Sequence, residues 1–221
     1  MSDRKKLSER LKEIRRPEPG KGLLPDVGTS ILVLIFGVGL GILSKYLDGM
    51  DFEHFNILLS IAARLDLGNV LTEMAIWLVM ALAISALSRS PLKAAINVFL
   101  FFGGMCISYH IWSILYKGFD PGSYMLIWYG ITLVSPILGI ICWYVRSDSP
   151  VSIILDIPIL TILACYCFSV GRFYFYFRSA LYTILFLIGV LALYKSPKQI
   201  LIAGVLGILL SLPLAPMLPF R

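Results

Sequence analysis

Charge is scarce in this sequence. Of its 221 residues only 14% are Asp, Glu, Lys or Arg, where an ordinary soluble domain carries roughly 25%. A soluble fold covers its core with a mixed charged surface, and residues 27–221 lack the charge to build one. Histidine is scarcer still: His54 and His110 stand 56 residues apart, so no metal-ligand spacing exists. The four cysteines, Cys106, Cys142, Cys165 and Cys167, lie inside apolar stretches without CxxC or Cys/His spacing, which reads as small buried hydrophobes. No metal and no cofactor is expected. Paired-carboxylate signatures, nucleophile elbows and phosphate loops are also missing, so an enzyme is the least expected class.

What the chain does have is apolar length. Hydrophobic residues make up 58% of it, the mean hydropathy is +0.86, and the uncharged runs are long enough for lipid to be the solvent. The expected fold is all-α: a polytopic membrane helix bundle of about seven transmembrane helices with short interfacial amphipathic helices. Residues 1–26 read as a basic amphipathic tail and linker, and residues 27–221 as a single transmembrane domain.

The tail holds eight Lys/Arg against five acids. Directly before a hydrophobic span this matches the positive-inside bias and an anionic inner leaflet, rather than a nucleic-acid footprint. Leu7, Leu11 and Ile14 line one face of a short amphipathic helix over residues 4–16, which Pro17, Pro19 and Gly20 end. Because the apolar run starts only near residue 29, with no small-x-small cleavage site after a short apolar core, Met1 is expected to persist.

Spans are expected over residues 27–46, 69–88, 91–116, 122–145, 150–170, 178–194 and 198–214. The longest loop, 47–68, spaces Phe52, Phe55, Leu58, Leu59 and Ala62 as an interfacial helix lying on the outer face. Three connections end in Ser-Pro, at Ser90-Pro91, Ser149-Pro150 and Ser196-Pro197, where serine caps a helix and proline fits its first turn. Residues 86–91 recur in part as 192–197, through an ancient repeat or through convergent turn chemistry. With the N-terminus in the cytoplasm, 13 Lys/Arg face inward and 6 outward, which sets that orientation and puts the C-terminus outside. Aromatic residues at span ends, among them Trp112, Trp143 and Phe173 to Phe177, fit interfacial belts.

Ionisable groups at membrane depth are the place to look for function, because lipid penalises them. On the outer half, Glu73, His110, Lys117, Asp120, Arg172 and Arg178 fall at similar depth. Glu73, His110, Arg172 and Arg178 are the substrate-binding candidates, with Glu73 as acceptor and His110 as a group able to titrate near neutral pH. The alternative is that Glu73 pairs with Arg172 or Arg178. On the inner half, Lys93, Asn97 and Asp156 form a second cluster, either as a Lys93–Asp156 ion pair tying spans 3 and 5 or as a proton or cation relay. Gly37 and Gly41 form a GxxxG pair for close helix packing, within the chain or with a partner membrane protein. Gly104, Ser108, Thr132, Ser135 and Gly139 make a further small face, and Pro136 and Pro158 kink their helices.

The stretches Gly41 to Asp48, Ser88 to Asn97, Trp128-Tyr129-Gly130, Ser135-Pro136, Cys142-Trp143-Tyr144 and Tyr194 to Gln199 carry a resemblance. Over nearly the whole chain after residue 25, the sequence resembles a family of uncharacterised multi-pass membrane proteins from Firmicutes. That resemblance implies a bacterial plasma-membrane location and transfers no site residues. In layout the chain is similar to substrate-binding subunits of energy-coupling factor transporters, with seven spans in place of six and Gly37/Gly41 where alanines are typical. The expected role is binding or moving a small solute across the membrane; the alternative is an accessory protein acting through a partner.

Overall fold

A computed structural model describes residues 14–17, 23–47, 70–71, 73–147 and 151–218. Seven α-helices lie among them, one in each expected interval: α1 (Leu23–Leu47), α2 (Met74–Leu87), α3 (Pro91–Lys117), α4 (Gly122–Tyr144), α5 (Val151–Cys167), α6 (Ala180–Leu193) and α7 (Pro197–Leu214). Helix α1 begins before the expected boundary at residue 27. The amphipathic helix expected over 4–16 (apart from Ile14 to Arg16), the flat helix over 47–68 (apart from Leu47) and the Ser149-Pro150 turn lie outside the described residues.

Local chemistry accounts for the helix starts. The Ser90 side chain accepts the Lys93 backbone N–H at 3.2 Å with Pro91 in the first turn, and Gly118 closes α3 in the left-handed region at φ 61°. At α7, Ser196 and Gln199 form a reciprocal capping box, again followed by proline at the first position. The same Ser-Pro device thus opens two helices.

Four helical stretches are long and apolar enough to cross a bilayer: Asp26–Leu47, Pro91–Tyr116, Gly122–Tyr144 and Pro197–Met217. The apolar stretches Met74–Leu87, Ser152–Cys167 and Ala180–Leu193 are shorter; at 1.5 Å per residue a 14-residue helix reaches about 21 Å, less than a hydrocarbon layer of roughly 30 Å. The structure therefore supports a membrane helix bundle with four clear spans.

The interval between spans 5 and 6 differs from expectation. Helix α5 stops at Cys167, and Phe168–Gly171 (β1) pairs antiparallel with Tyr174–Phe177 (β2), Phe168 opposite Phe177 and Gly171 opposite Tyr174. Aromatic residues favour strands, and a Gly beside a two-residue connection permits the tight turn. Phe168 is buried against Phe175, Phe177 and Phe186 at ring separations of 4.9, 5.4 and 4.9 Å, while Phe173 at the tip is 93% exposed.

Polarity is arranged inside out. Large aliphatic side chains such as Leu32, Leu126, Leu133 and Leu201 point outward, whereas Ser30, Ser85, Thr132, Ser135 and Ser211 are buried. These five hydroxyls each reach a carbonyl of the preceding turn, as Ser85 does to Ala81 at 2.8 Å. Two buried clusters form. One gathers Trp77, Phe101, Phe102, Met105 and Trp128 from α2, α3 and α4, with α1 packed on α3. The other gathers Val79, Leu82, Leu160, Leu163 and Leu185 from α2, α5 and α6, with β1 and α7 against it. Helix α2 belongs to both clusters and joins the two halves.

Candidate functional site

The outer candidates resolve into separate pairs. Glu73, just ahead of α2, receives a two-pronged hydrogen bond from the Arg178 guanidinium at 2.5 and 2.6 Å. Arg178 also donates to the Tyr166 carbonyl at 3.3 Å and lies over the Tyr182 ring at 4.4 Å. This fork geometry satisfies the carboxylate and ties α2 to the β2–α6 connection. His110 on α3 contacts the Tyr129 hydroxyl through Nδ1 at 2.8 Å and Asp120 Oδ1 through Nε2 at 3.1 Å. Asp120 also accepts the Gly122 N–H at 2.9 Å; that bond, then the one with His110, holds its carboxyl below the usual carboxylate range. Arg172 sits exposed in the hairpin turn. Among the described residues Glu73 and His110 do not bond to each other: Glu73 is held by Arg178, and His110 contacts Tyr129 and Asp120. Of the two sequence alternatives for Glu73, pairing with Arg178 is the one observed.

At the opposite end, polar side chains converge. Lys93 Nζ donates to the Asp26 carbonyl at 3.0 Å and reaches Ser30 Oγ at 3.3 Å. Ser30 Oγ donates to Asn97 Oδ1 at 2.7 Å, and Asn97 Nδ2 lies 3.4 Å from Ser88 Oγ. Arg89 Nη1 pairs with Asp26 Oδ1 at 3.3 Å. These residues come from the start of α1, the end of α2 and the start of α3, which the Ser-Pro turn holds side by side. They line a cavity of 330 Å³ walled by Asp26, Ser88, Arg89, Lys93 and Asn97, with Thr29, Val33, Ile84 and Leu87 completing it. Arg15 closes over the same end, donating to the carbonyls of Trp143 and Ala86 and stacking on the Trp143 ring at 4.1 Å. Buried Trp143 donates its indole N–H to the Ser88 carbonyl at 2.7 Å.

The expected Lys93–Asp156 ion pair is not the arrangement found. Asp156 is fully buried on α5 and accepts from Gln199 on α7, while Lys93 is committed to α1. The physical reason lies in packing: α3 lies against α1, α2 and α4, whereas α5 packs chiefly on α7. Asp26 was legible in the sequence only as the boundary of span 1; a carboxylate one helical turn before Ser30, facing a Lys/Asn pair one turn apart, was the available signal.

Gly37 and Gly41 face α3 within the chain. A Cβ on Gly37 would fall on the Phe101 carbonyl, and one on Gly41 on the Met105 carbonyl and Ser108 Oγ. Gly104 meets Leu34 from the other side. The glycine face is therefore occupied by α3. Apolar hollows among the described residues include a chamber of 150 Å³ among α2, α3, α4 and α5, lined by Leu78, Leu82, Phe102, Ser135 and Cys142, and a groove of 630 Å³ over Gly103 between α1 and α4. No group of three His, Cys, Asp or Glu side chains able to hold a metal lies among the described residues. No protein family, no curated protein and no solved structure matches this chain.

Proposed function

We propose that this chain is a multi-pass protein of the bacterial plasma membrane that binds a small anionic solute and serves its passage across the membrane. The observation that carries this reading is the 330 Å³ cavity lined by Arg89, Lys93, Asn97 and Ser88. Its volume falls at the lower end of small-molecule sites. Arg89 spends one Nη1 contact on Asp26, which leaves guanidinium donors for a ligand, and the first turns of α1 and α3 add the positive ends of two helix dipoles. A carboxylate or phosphate group suits such a lining.

In this reading all seven helices cross the bilayer, the three shorter ones with their flanking segments and local thinning. The excess of Lys/Arg on this side turns the cavity toward the cytoplasm and the hairpin outward. The bacterial setting rests on the resemblance through Ser88 to Asn97 and its companion stretches.

Native mass spectrometry of the protein gently extracted from its own membrane tests this. A stoichiometric anionic adduct, retained in Glu73→Gln and lost in Lys93→Gln, is expected. An adduct equally retained in Lys93→Gln would sink the proposal. Recovery of a defined partner protein in place of an adduct would favour the accessory reading.

A further inference from the structure

Helix α5 carries a single charged-type side chain, Asp156, five residues past its start and so about 7.5 Å along its axis. The carboxyl is fully buried. Oδ2 accepts from Gln199 Nε2, whereas Oδ1 has no hydrogen-bond partner among the described residues. An ionised carboxylate at such a site needs several donors or a contacting cation to offset lost hydration. One neutral amide does not supply that.

Gln199 is itself fixed. Its backbone N–H donates to Ser196 Oγ at 3.2 Å, and its Oε1 accepts the Ser196 N–H at 3.3 Å, so the capping box turns the NH₂ end toward Asp156. Nε2 also lies 3.4 Å from the Leu193 carbonyl. Because the amide can only donate, Oδ2 must be an acceptor, and a proton on the carboxyl belongs on Oδ1.

The charged surroundings are sparse. Among the elements packed on α5, α2 and β1 carry no ionisable side chain and α6 carries only Tyr182. Helix α4 offers Tyr124, Tyr129, Cys142 and Tyr144, with Arg146 exposed just past its end. Helix α7 has Lys198, exposed on its first turn, and α5 itself has Cys165, Tyr166 and Cys167 at its far end. Among the described residues, Lys195, in the turn ahead of α7, is a positive group close enough to act on Asp156. It acts at a distance and makes no hydrogen bond to Oδ1.

We propose that Asp156 is a proton-binding site inside the bundle, carrying its proton on Oδ1 and releasing it when α5 and the start of α7 part enough for water to reach the carboxyl. The exchange is a simple acid dissociation, the carboxylic acid giving a carboxylate and a proton. It supplies a binding site for a coupling proton in the half of the molecule away from the Arg89/Lys93 cavity. The site stands independently of that cavity.

Infrared difference spectroscopy of the full chain in lipid nanodiscs, across a pH titration, reads the site directly. The expected result is a protonated-carboxyl band near neutral pH that disappears at alkaline pH, is absent in Asp156→Asn, and persists about one pH unit higher in Gln199→Met, which removes a bond favouring the charged form. Should the variants fold poorly, labelling the wild-type aspartate carboxyls with carbon-13 must displace the band. No protonated band near neutral pH, a band indifferent to the aspartate label, or a band abolished by sodium ions at constant pH overturns the proposal, the last by assigning the site to sodium.

Discussion

A methyl group added at Gly41 should force α1 away from α3, whereas one added at Gly39 should not. At Gly41 the new Cβ would coincide with the Met105 carbonyl and with Ser108 Oγ, while at Gly39 nothing lies within 4 Å. The obstruction at Gly41 is backbone, which no side-chain rotation relieves. Ser108 Oγ also donates to the Val38 carbonyl across the helix pair at 3.0 Å, and its displacement removes that bond. Overpacking of a tight interface costs about 1–3 kcal/mol, and an interhelical hydrogen bond in a membrane protein adds about 0.6 kcal/mol. The folded-to-unfolded ratio of Gly41→Ala should therefore fall roughly 30-fold for a net loss of about 2 kcal/mol. Both substitutions gain the same helix propensity from Gly to Ala, so their difference isolates the contact. Gly104→Ala, facing Leu34 with its carbonyl at 2.9 Å, and Gly103→Ala, facing nothing within 4 Å, give a second matched pair on α3. Unfolding in mixed micelles with rising dodecyl sulfate, followed by the fluorescence of Trp77 and Trp128 in the neighbouring core, measures the ratio. Equal stability of Gly39→Ala and Gly41→Ala would refute the close approach of α1 to α3.

Three further outcomes follow from the geometry. Glu73→Gln and Arg178→Gln should each destabilise by about 1–2 kcal/mol, and the double variant little more than either, since the pair is two-pronged but only partly buried; a double-mutant cycle showing simple additivity would dissolve the pair. The Asp120 carboxyl is held below its ordinary range in the folded state, so its bonds to Gly122 and His110 stabilise above the unfolded value of about 3.9 and are lost as pH falls through the lower folded value; in Asp120→Asn the acid limb of the unfolding profile should flatten, and above about pH 5 the profile should lie lower than the parent's by a constant amount. Trp143→Phe should cost about 1–3 kcal/mol by leaving the Ser88 carbonyl without its donor, a loss that thermal unfolding in detergent detects and that Trp112→Phe, away from this contact, should not reproduce.

Helix positions and caps were legible because they follow from local chemistry. The Ser-Pro turns at Ser90 and Ser196 announce helix starts from four residues alone, and both form as expected. The hairpin was hidden because Phe168 to Val170 continue the apolar run of α5, so hydropathy merges β1 with span 5, while Phe173 to Phe177 read as an interfacial aromatic belt. Its strand signal, aromatic residues around Gly171, is weaker than the span signal that overrode it. Pairings were legible only as short sets of partners at matching depth. Glu73 had two arginines to choose from and took Arg178, but the sequence could not say that Lys93 would turn to Asp26 and Ser30 on α1 rather than to Asp156. That choice depends on which helices pack together, and α1 against α3 is decided by Gly37, Gly41 and Gly104 meeting backbone to backbone.

The same packing explains why the polar groups divide as they do. Close approach of α1 and α3 brings the first turns of both helices to one end, where Asp26, Arg89 and Lys93 satisfy one another and still enclose a cavity. At the other end Glu73 pairs with Arg178 and His110 with Asp120. Asp26, Glu73 and Asp120, the described carboxylates at the two ends, are thus each matched by a charged or titratable partner. Asp156 is the exception: it is buried between α5 and α7 with a single neutral donor and a bare oxygen. A fold that satisfies the partly exposed Asp26, Glu73 and Asp120 with arginine, histidine or backbone N–H has left the buried one to be neutralised by something that can come and go, and a proton is the smallest such partner.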